Sequence, residues 1–265
     1  MKTVSLASGS KGNAYLVGSG DDWLMIDCGL GCRTLVCRAA QVGVDPARIR
    51  AVLFTHDHDD HVGGLATFHR HFPQAELFAN DMTAEAIAAA TGVARADFMI
   101  FTNGQPFTTG PFAVTAFSVP HDVPDPVGYL VTADGFTYFH ATDCGTPLDS
   151  VGARLGAADA ATLESNYDPV LVRGANRPEH VKRRVLGPRG HLANADAAEL
   201  VRRFASPKLK HLALAHLSGQ CNAPHLAEGA MRAALAELGR GDVDLEILAQ
   251  DAPGRVFSLP VAESH

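Results

Sequence analysis

From Thr55 to His61 the chain reads Thr-His-Asp-His-Asp-Asp-His, with histidines at 56, 58 and 61 and aspartates at 57, 59 and 60. Imidazole nitrogens and carboxylate oxygens are ligands for Zn²⁺, Mn²⁺ or Fe²⁺, and without a thiolate among them they do not choose between these ions. The segment directly follows Ala51-Val52-Leu53-Phe54, an apolar run that reads as a buried strand, and precedes a helix through Leu65, Phe68 and Phe72. A loop at a strand end can converge ligands without helical periodicity. A solvated polar turn is the plain alternative, but it needs no such concentration of imidazoles. The chemistry expected of a metal on such a loop is the activation of water and polarisation of a scissile bond.

Elements able to hold such a loop are legible on both sides of it. Thr3 to Ala7, Ala14 to Val17 and Trp23 to Ile26 read as strands between Gly/Ser/Asp/Asn clusters. A helix is expected from Cys32 to Val42, stopped near Gly43, with Pro46 opening a short helical piece. The Ala-rich stretch Ala84 to Ala90, between Asn80-Asp81 and Gly92, is another helix. Strands follow at Phe112 to Val119, Tyr129 to Thr132 and Phe136 to Phe139, the last two joined by the turn Ala133-Asp134-Gly135. Beyond Asp143 helices (147–155, 179–186, 196–204, 225–238) alternate with strands (160–164, 211–215, 245–248). That order predicts two sheets packed together with helices outside, and no repeat or linker divides residues 1–265, which read as one domain.

Composition sets the limits. The 265 residues carry a net charge of -7, with 46% hydrophobic and 19% charged residues, values of a globular chain able to bury a full core. An acidic balance argues against a general nucleic-acid coat and leaves room for a local basic patch. The five cysteines include no C-x2-C pair and read as reduced thiols of a cytoplasmic protein. No secretory signal is read at Lys2 to Ser10, and Gly and Pro break the longest uncharged run, 98–120, so no membrane span is expected.

The H-x-H-x-D-H pattern resembles the metallo-β-lactamase fold, which implies α/β architecture: a four-layer αβ/βα sandwich with metals at one sheet edge. Later strand ends supply matches to the family's remaining motifs: His121 in Val119-Pro120-His121-Asp122, Asp143 in Thr142-Asp143-Cys144-Gly145, and His216 in Ala215-His216-Leu217-Ser218. By that resemblance His56, His58 and His121 hold one divalent metal ion, Asp60, His61 and His216 hold the second, and Asp143 bridges them. Two ions ~3.5–4 Å apart generate hydroxide at neutral pH and clamp attacking and leaving oxygens, with Asp60 also placed to orient that hydroxide. Asp143 stands where zinc β-lactamases resemble one another in having cysteine, which argues against antibiotic hydrolysis. His58, where flavo-di-iron oxidoreductases have glutamate, argues against redox chemistry.

Further motifs are similar to the YycJ/WalJ group of bacterial proteins with this fold, described as 5′→3′ DNA exonucleases. They are Ser8-Gly9-Ser10-Lys11-Gly12-Asn13, Asp125-Pro126-Val127-Gly128-Tyr129, Glu164-Ser165-Asn166-Tyr167-Asp168, Lys182-Arg183-Arg184 and Gly190-His191-Leu192-Ala193-Asn194. The stretch from Glu164 to His191 is too short for the insert of β-CASP nucleases or the long arm of ribonuclease Z. Between 173 and 189 lie Arg173, Arg177, Lys182, Arg183, Arg184 and Arg189 against the single acid Glu179, an island suited to a DNA backbone, or else a solvated helix face. His191 is offered as the acid that protonates the leaving oxygen, with Glu164 fixing its tautomer. Lys11 is offered equally as a phosphate contact or a plain turn residue. Asp122 and Asp125 are candidate partners of ligating histidines, and Tyr167 and Phe107 candidates for base stacking or for packing. The competing readings are a small-molecule metallo-hydrolase (cyclic phosphodiesterase, lactonase or thioesterase) and a metal-bound sensor using Cys144 and Cys221.

Overall fold

A computed structural model of the chain describes residues 1–259; the last six positions, His265 included, lie outside the described residues. The first half builds β1 (Lys2–Ala7), β2 (Ala14–Ser19), β3 (Asp22–Ile26), α1 (Cys32–Gln41), β4 (Ile49–Leu53), α2 (Asp59–Val62), α3 (Leu65–His71), β5 (Glu76–Ala79), α4 (Asp81–Thr91) and β6 (Phe98–Ile100). The second half builds β7 (Pro106–Thr109), β8 (Phe112–Ser118), β9 (Val127–Ala133), β10 (Phe136–Ala141), α5 (Asp149–Leu155), β11 (Ala160–Glu164), α6 (Pro169–Gly174), α7 (Glu179–Val185), α8 (Asn194–Phe204), β12 (His211–Ala215), α9 (Pro224–Glu237) and β13 (Asp244–Ile247). A last strand, β14 (Phe257–Ser258), returns to pair with β1.

These strands form two seven-stranded mixed sheets, β14-β1-β2-β3-β4-β5-β6 and β13-β12-β11-β10-β9-β8-β7. In each, antiparallel pairing gives way to a parallel run, β3 to β6 and β10 to β13, and the parallel strands need crossover helices. Because side chains alternate between the two faces of a strand, each strand feeds two cores. Leu24, Ile26, Ala51 and Leu53 of the first sheet meet Phe112, Val114, Tyr129 and Val131 of the second between the sheets. Met25 and Val52 turn the other way, under Leu35, Phe68 and Ile87 of α1, α3 and α4. Leu212 and Leu214 likewise lie under Leu155, Leu200 and Met231 of α5, α8 and α9. Helices, sheet, sheet, helices: this is the four-layer αβ/βα sandwich expected.

Local signals act as read. Asn80 caps α4 by accepting from the Thr83 N–H, and Gly92 closes it in the left-handed region at φ 74°. Strands β5, β6 and β7, of three or four residues, carry too few alternations to announce themselves, and α6 likewise escapes the sequence. The second half of the His/Asp loop closes into α2, so Asp60 and His61 are helical neighbours rather than loop residues.

Candidate metal centre and nuclease site

Strand direction gathers the site. Asp27 follows β3, the His/Asp segment follows β4, Asp143 follows β10, Glu164 ends β11 and His216 follows β12, all at carboxyl ends of parallel strands. His121 joins them because β8, antiparallel to β9, runs parallel to β10. Asp27, Asp143 and His216 take left-handed φ of 62°, 55° and 56°, a conformation non-glycine residues rarely adopt and one that concentrates where side chains must be aimed.

His56, His58 and His121 present ligand atoms within 4.8 Å of one another, as do Asp60, His61 and His216, and the set His56, His61 and Asp143 links the two. Proton accounting shows what these atoms offer. His61 Nδ1 donates to Asp27 at 2.7 Å, and His121 Nδ1 donates to the Gly190 carbonyl at 3.0 Å. The Thr55 hydroxyl donates to Asp27 and is left to accept from His56 Nδ1 at 3.0 Å. The Nε2 lone pairs of His56, His61 and His121 therefore all face inward. Inward they meet each other: His58 Nδ1 lies 3.0 Å from His56 Nε2 and 3.4 Å from His121 Nε2. Asp143 Oδ2 is buried without a hydrogen-bond partner, 3.2 Å from His61 Nε2, and Asp60 Oδ2 lies 3.3 Å from His216 Nε2. Lone pairs and an orphaned carboxylate oxygen crowded together in this way fit divalent cations between them.

Ionisation agrees with ligation. Burial holds the His56 and His58 pKa values below the ordinary imidazole range, so both rings are neutral donors of a lone pair. Burial opposes the charge on Asp60, but His61 and His216 outweigh it and hold its pKa at about 2. Asp143, under the same opposing effects from burial and from His216 and His61, is also held well below the usual carboxylate range.

Glu164 and His191 are brought together as expected. His191 Nδ1 donates to Glu164 Oε1 at 2.8 Å, which leaves Nε2 toward the cavity. Glu164 Oε2 also accepts the backbone N–H groups of Cys144 (2.7 Å) and Leu192 (3.0 Å). A carboxylate filled by these donors orients; its lone pairs are largely spent. Ser10, His58, Asp59, Asp60, Asp143, Arg184, His191 and His216 line an open cavity of about 300 Å³ above the cluster.

The basic segment divides. Arg184 reaches the cavity and makes two bonds to Asp122, the shorter 2.5 Å. Lys182 is instead held by the Arg173 carbonyl at 3.0 Å and by Glu179 at 3.1 Å, while Arg183 is exposed on α7. Lys11 sits exposed at the tip of its turn, its N–H on Gln250. Asp122 lies 3.5 Å from His121 Nε2, whereas Asp125 bonds Asn103 at 2.8 Å. Tyr167 packs with Val172, Ala193 and Cys221, and Phe107 stacks on Phe78 and Phe101, so both are packing residues. Sequence reasoning missed Asp27, the deepest orienting group. Its signal was available, an acid immediately after a buried strand, before Gly29.

The sheets, the strand-end loops and the converging histidines and aspartates define a metallo-β-lactamase-fold protein, a class whose fold implies divalent metal binding. The β-lactamase superfamily domain matches residues 22–216. Among solved structures, the metallo-β-lactamase-fold protein YhfI from Bacillus subtilis superimposes with a TM-score of 0.72 at 19% identity, covering 97% of this chain and 100% of that one. In sequence, exodeoxyribonuclease WalJ of Streptococcus pneumoniae is 31% identical over 91% of each chain. Exodeoxyribonuclease YycJ of Bacillus anthracis is 32% identical over 89% of each. The chain belongs to this WalJ/YycJ family of the β-lactamase superfamily.

Proposed function

We propose that the protein is a metal-dependent phosphodiesterase that removes nucleotides from DNA ends, working 5′→3′. One observation carries the reading: a three-histidine set and an Asp60/His61/His216 set are linked through Asp143 in a chain that matches named exodeoxyribonucleases over nine-tenths of its length. His56, His58 and His121 would hold one ion and Asp60, His61 and His216 the other, with Asp143 within reach of His56 in one set and His61 in the other; Zn²⁺ or Mn²⁺, and also Fe²⁺, suit this donor set. Bound there, such ions supply Lewis acidity toward a phosphodiester and a nucleophile at neutral pH. Asp60, ionised and half in the cavity, orients the attacking water. In its imidazolium form, with Nδ1–H held by Glu164, His191 gives its Nε2 proton to the leaving oxygen and is left as the neutral Nδ1–H tautomer. Arg184 binds backbone phosphate by exchanging its Asp122 partner, with exposed Arg183 and Lys11 adding positive field along the approach, while Lys182, paired with Glu179, contributes less.

Residues 1–265 act as one domain in the cytoplasm, where DNA is the partner and the five free thiols stay reduced. No helix among the described residues is long and apolar enough to cross a membrane. The competing small-molecule reading is tested by a panel of linear DNA, bis-p-nitrophenyl phosphate, cyclic nucleotides, lactones and thioesters. The proposal expects turnover of DNA far above every other member. Efficient turnover of a lactone, thioester or cyclic nucleotide with DNA left intact would replace it.

A further inference from the structure

The metal cavity opens sideways into a second one. Ser10, His191 and His216 line both, and beyond them lies a smaller, more enclosed space of about 90 Å³ walled by Asn166, Arg177, Ser218 and Cys221. The two differ in charge. The metal cavity is lined by Asp59, Asp60 and Asp143, and its cation, Arg184, is already paired with Asp122. No carboxylate lines the smaller cavity, and Arg177 is its cation.

Arg177 is held without being neutralised. Its Nε donates to the neutral amide oxygen of Gln220 at 2.8 Å, and among the described residues no carboxylate lies within ion-pair distance of it. Its two terminal nitrogens therefore keep their donors. The Ser218 oxygen accepts from the Cys221 N–H at 3.1 Å, so its own proton is left to donate, as is that of Ser10. Donors without acids make an oxyanion receptor, and a guanidinium fork matches phosphate oxygens. Size then selects the ligand: pockets for drug-sized molecules start near 300 Å³, so this space admits a phosphate group and no nucleoside.

Resting on the nuclease reading above, we infer that the Arg177 cavity seats the terminal phosphate of the substrate strand, beside the phosphodiester being cut. The shared walls His191 and His216 put the two phosphates next to each other, and the enclosure stops the strand there. That would make the enzyme an end-reader that prefers phosphorylated over hydroxyl ends.

The test compares DNA carrying phosphate or hydroxyl at each end, in the metal-loaded wild type and in Arg177→Gln. The wild type should favour 5′-phosphorylated over 5′-hydroxyl ends by about tenfold or more in kcat/KM, the worth of a charge-assisted bond pair, with the 3′ end making no difference. In Arg177→Gln this ratio should fall toward one, mainly through KM. A wild type indifferent to end phosphate, or a variant that keeps the ratio, overturns the inference. Calorimetric titration with inorganic phosphate reads the seat without cleavage: Arg177→Gln should bind about tenfold more weakly, and equal binding would refute the seat. If DNA stays uncut while phosphate binding depends on Arg177, the nuclease reading fails and the anion seat stands.

Discussion

Asp27 touches no position proposed for a metal, yet it sets the tautomers of two proposed ligands. It is fully buried and accepts from His61 Nδ1 at 2.7 Å, from the Thr55 N–H at 2.9 Å and from the Thr55 hydroxyl at 2.9 Å. Asp27→Asn keeps shape and backbone, because asparagine tolerates the left-handed φ of 62°. It removes the charge and turns an NH₂ group toward donors. Loss of one charge-assisted bond costs about 1.5–3 kcal/mol, and a ligand's orienting partner is worth about 10–100-fold in metal affinity. Asp27→Ala should be worse. It strands the His61 and Thr55 donors at roughly 1–3 kcal/mol each and adds about 1–2 kcal/mol of backbone strain. Denaturant unfolding of the metal-depleted protein and competitive metal titration measure the two effects separately. The expected order is wild type, then Asn, then Ala in both. Asp27→Asn with wild-type metal affinity and an unchanged unfolding midpoint would refute the argument that this carboxylate fixes the ligand tautomers.

Three further outcomes follow from the same geometry. A methyl at Gly29 would stand 1.8 Å from the Asp60 carbonyl oxygen, so Gly29→Ala must displace α2; elemental analysis should find depleted metal, and melting should fall by at least the ~1–3 kcal/mol of overpacking. His191→Ala should lower kcat on DNA by about 10²–10⁴-fold while bound metal is retained; loss of metal in that variant would make His191 a ligand instead. His211, between Asp244 (3.2 Å) and stacked Phe257, has its pKa lowered by burial below the ordinary 6.5, partly offset by Asp244. The unfolded chain therefore binds the proton more readily, stability falls as pH drops below about 6.5, and melting curves of His211→Gln should show a shallower acid loss than wild type.

How much of this was legible depends on what each feature needs. The ligand loop was, because a dense His/Asp run after an apolar strand is a local signal. His121, Asp143 and His216 were found through the resemblance; parallel pairing brings Asp143 and His216 to one edge, and two successive antiparallel pairings bring His121 there. Asp27 was overlooked because a lone aspartate after a strand has many uses, and only the 2.7 Å approach of His61 selects this one. The basic island misled in part. Composition treats Lys182, Arg183 and Arg184 alike, but successive residues on a helix point in different directions, and Arg184 alone of the three lines the cavity. Short strands such as β6, three residues long, exist because β5 offers an edge to pair with, which no local pattern records.

The central claim, metal-dependent hydrolysis from a DNA end, is tested most directly by digesting end-labelled single- and double-stranded DNA with Mn²⁺ or Zn²⁺, alongside Asp60→Asn. Progressive shortening from one end, abolished by chelator and absent in Asp60→Asn, is the predicted result. DNA left intact by the wild type with both metals, or shortened equally by Asp60→Asn, would contradict it.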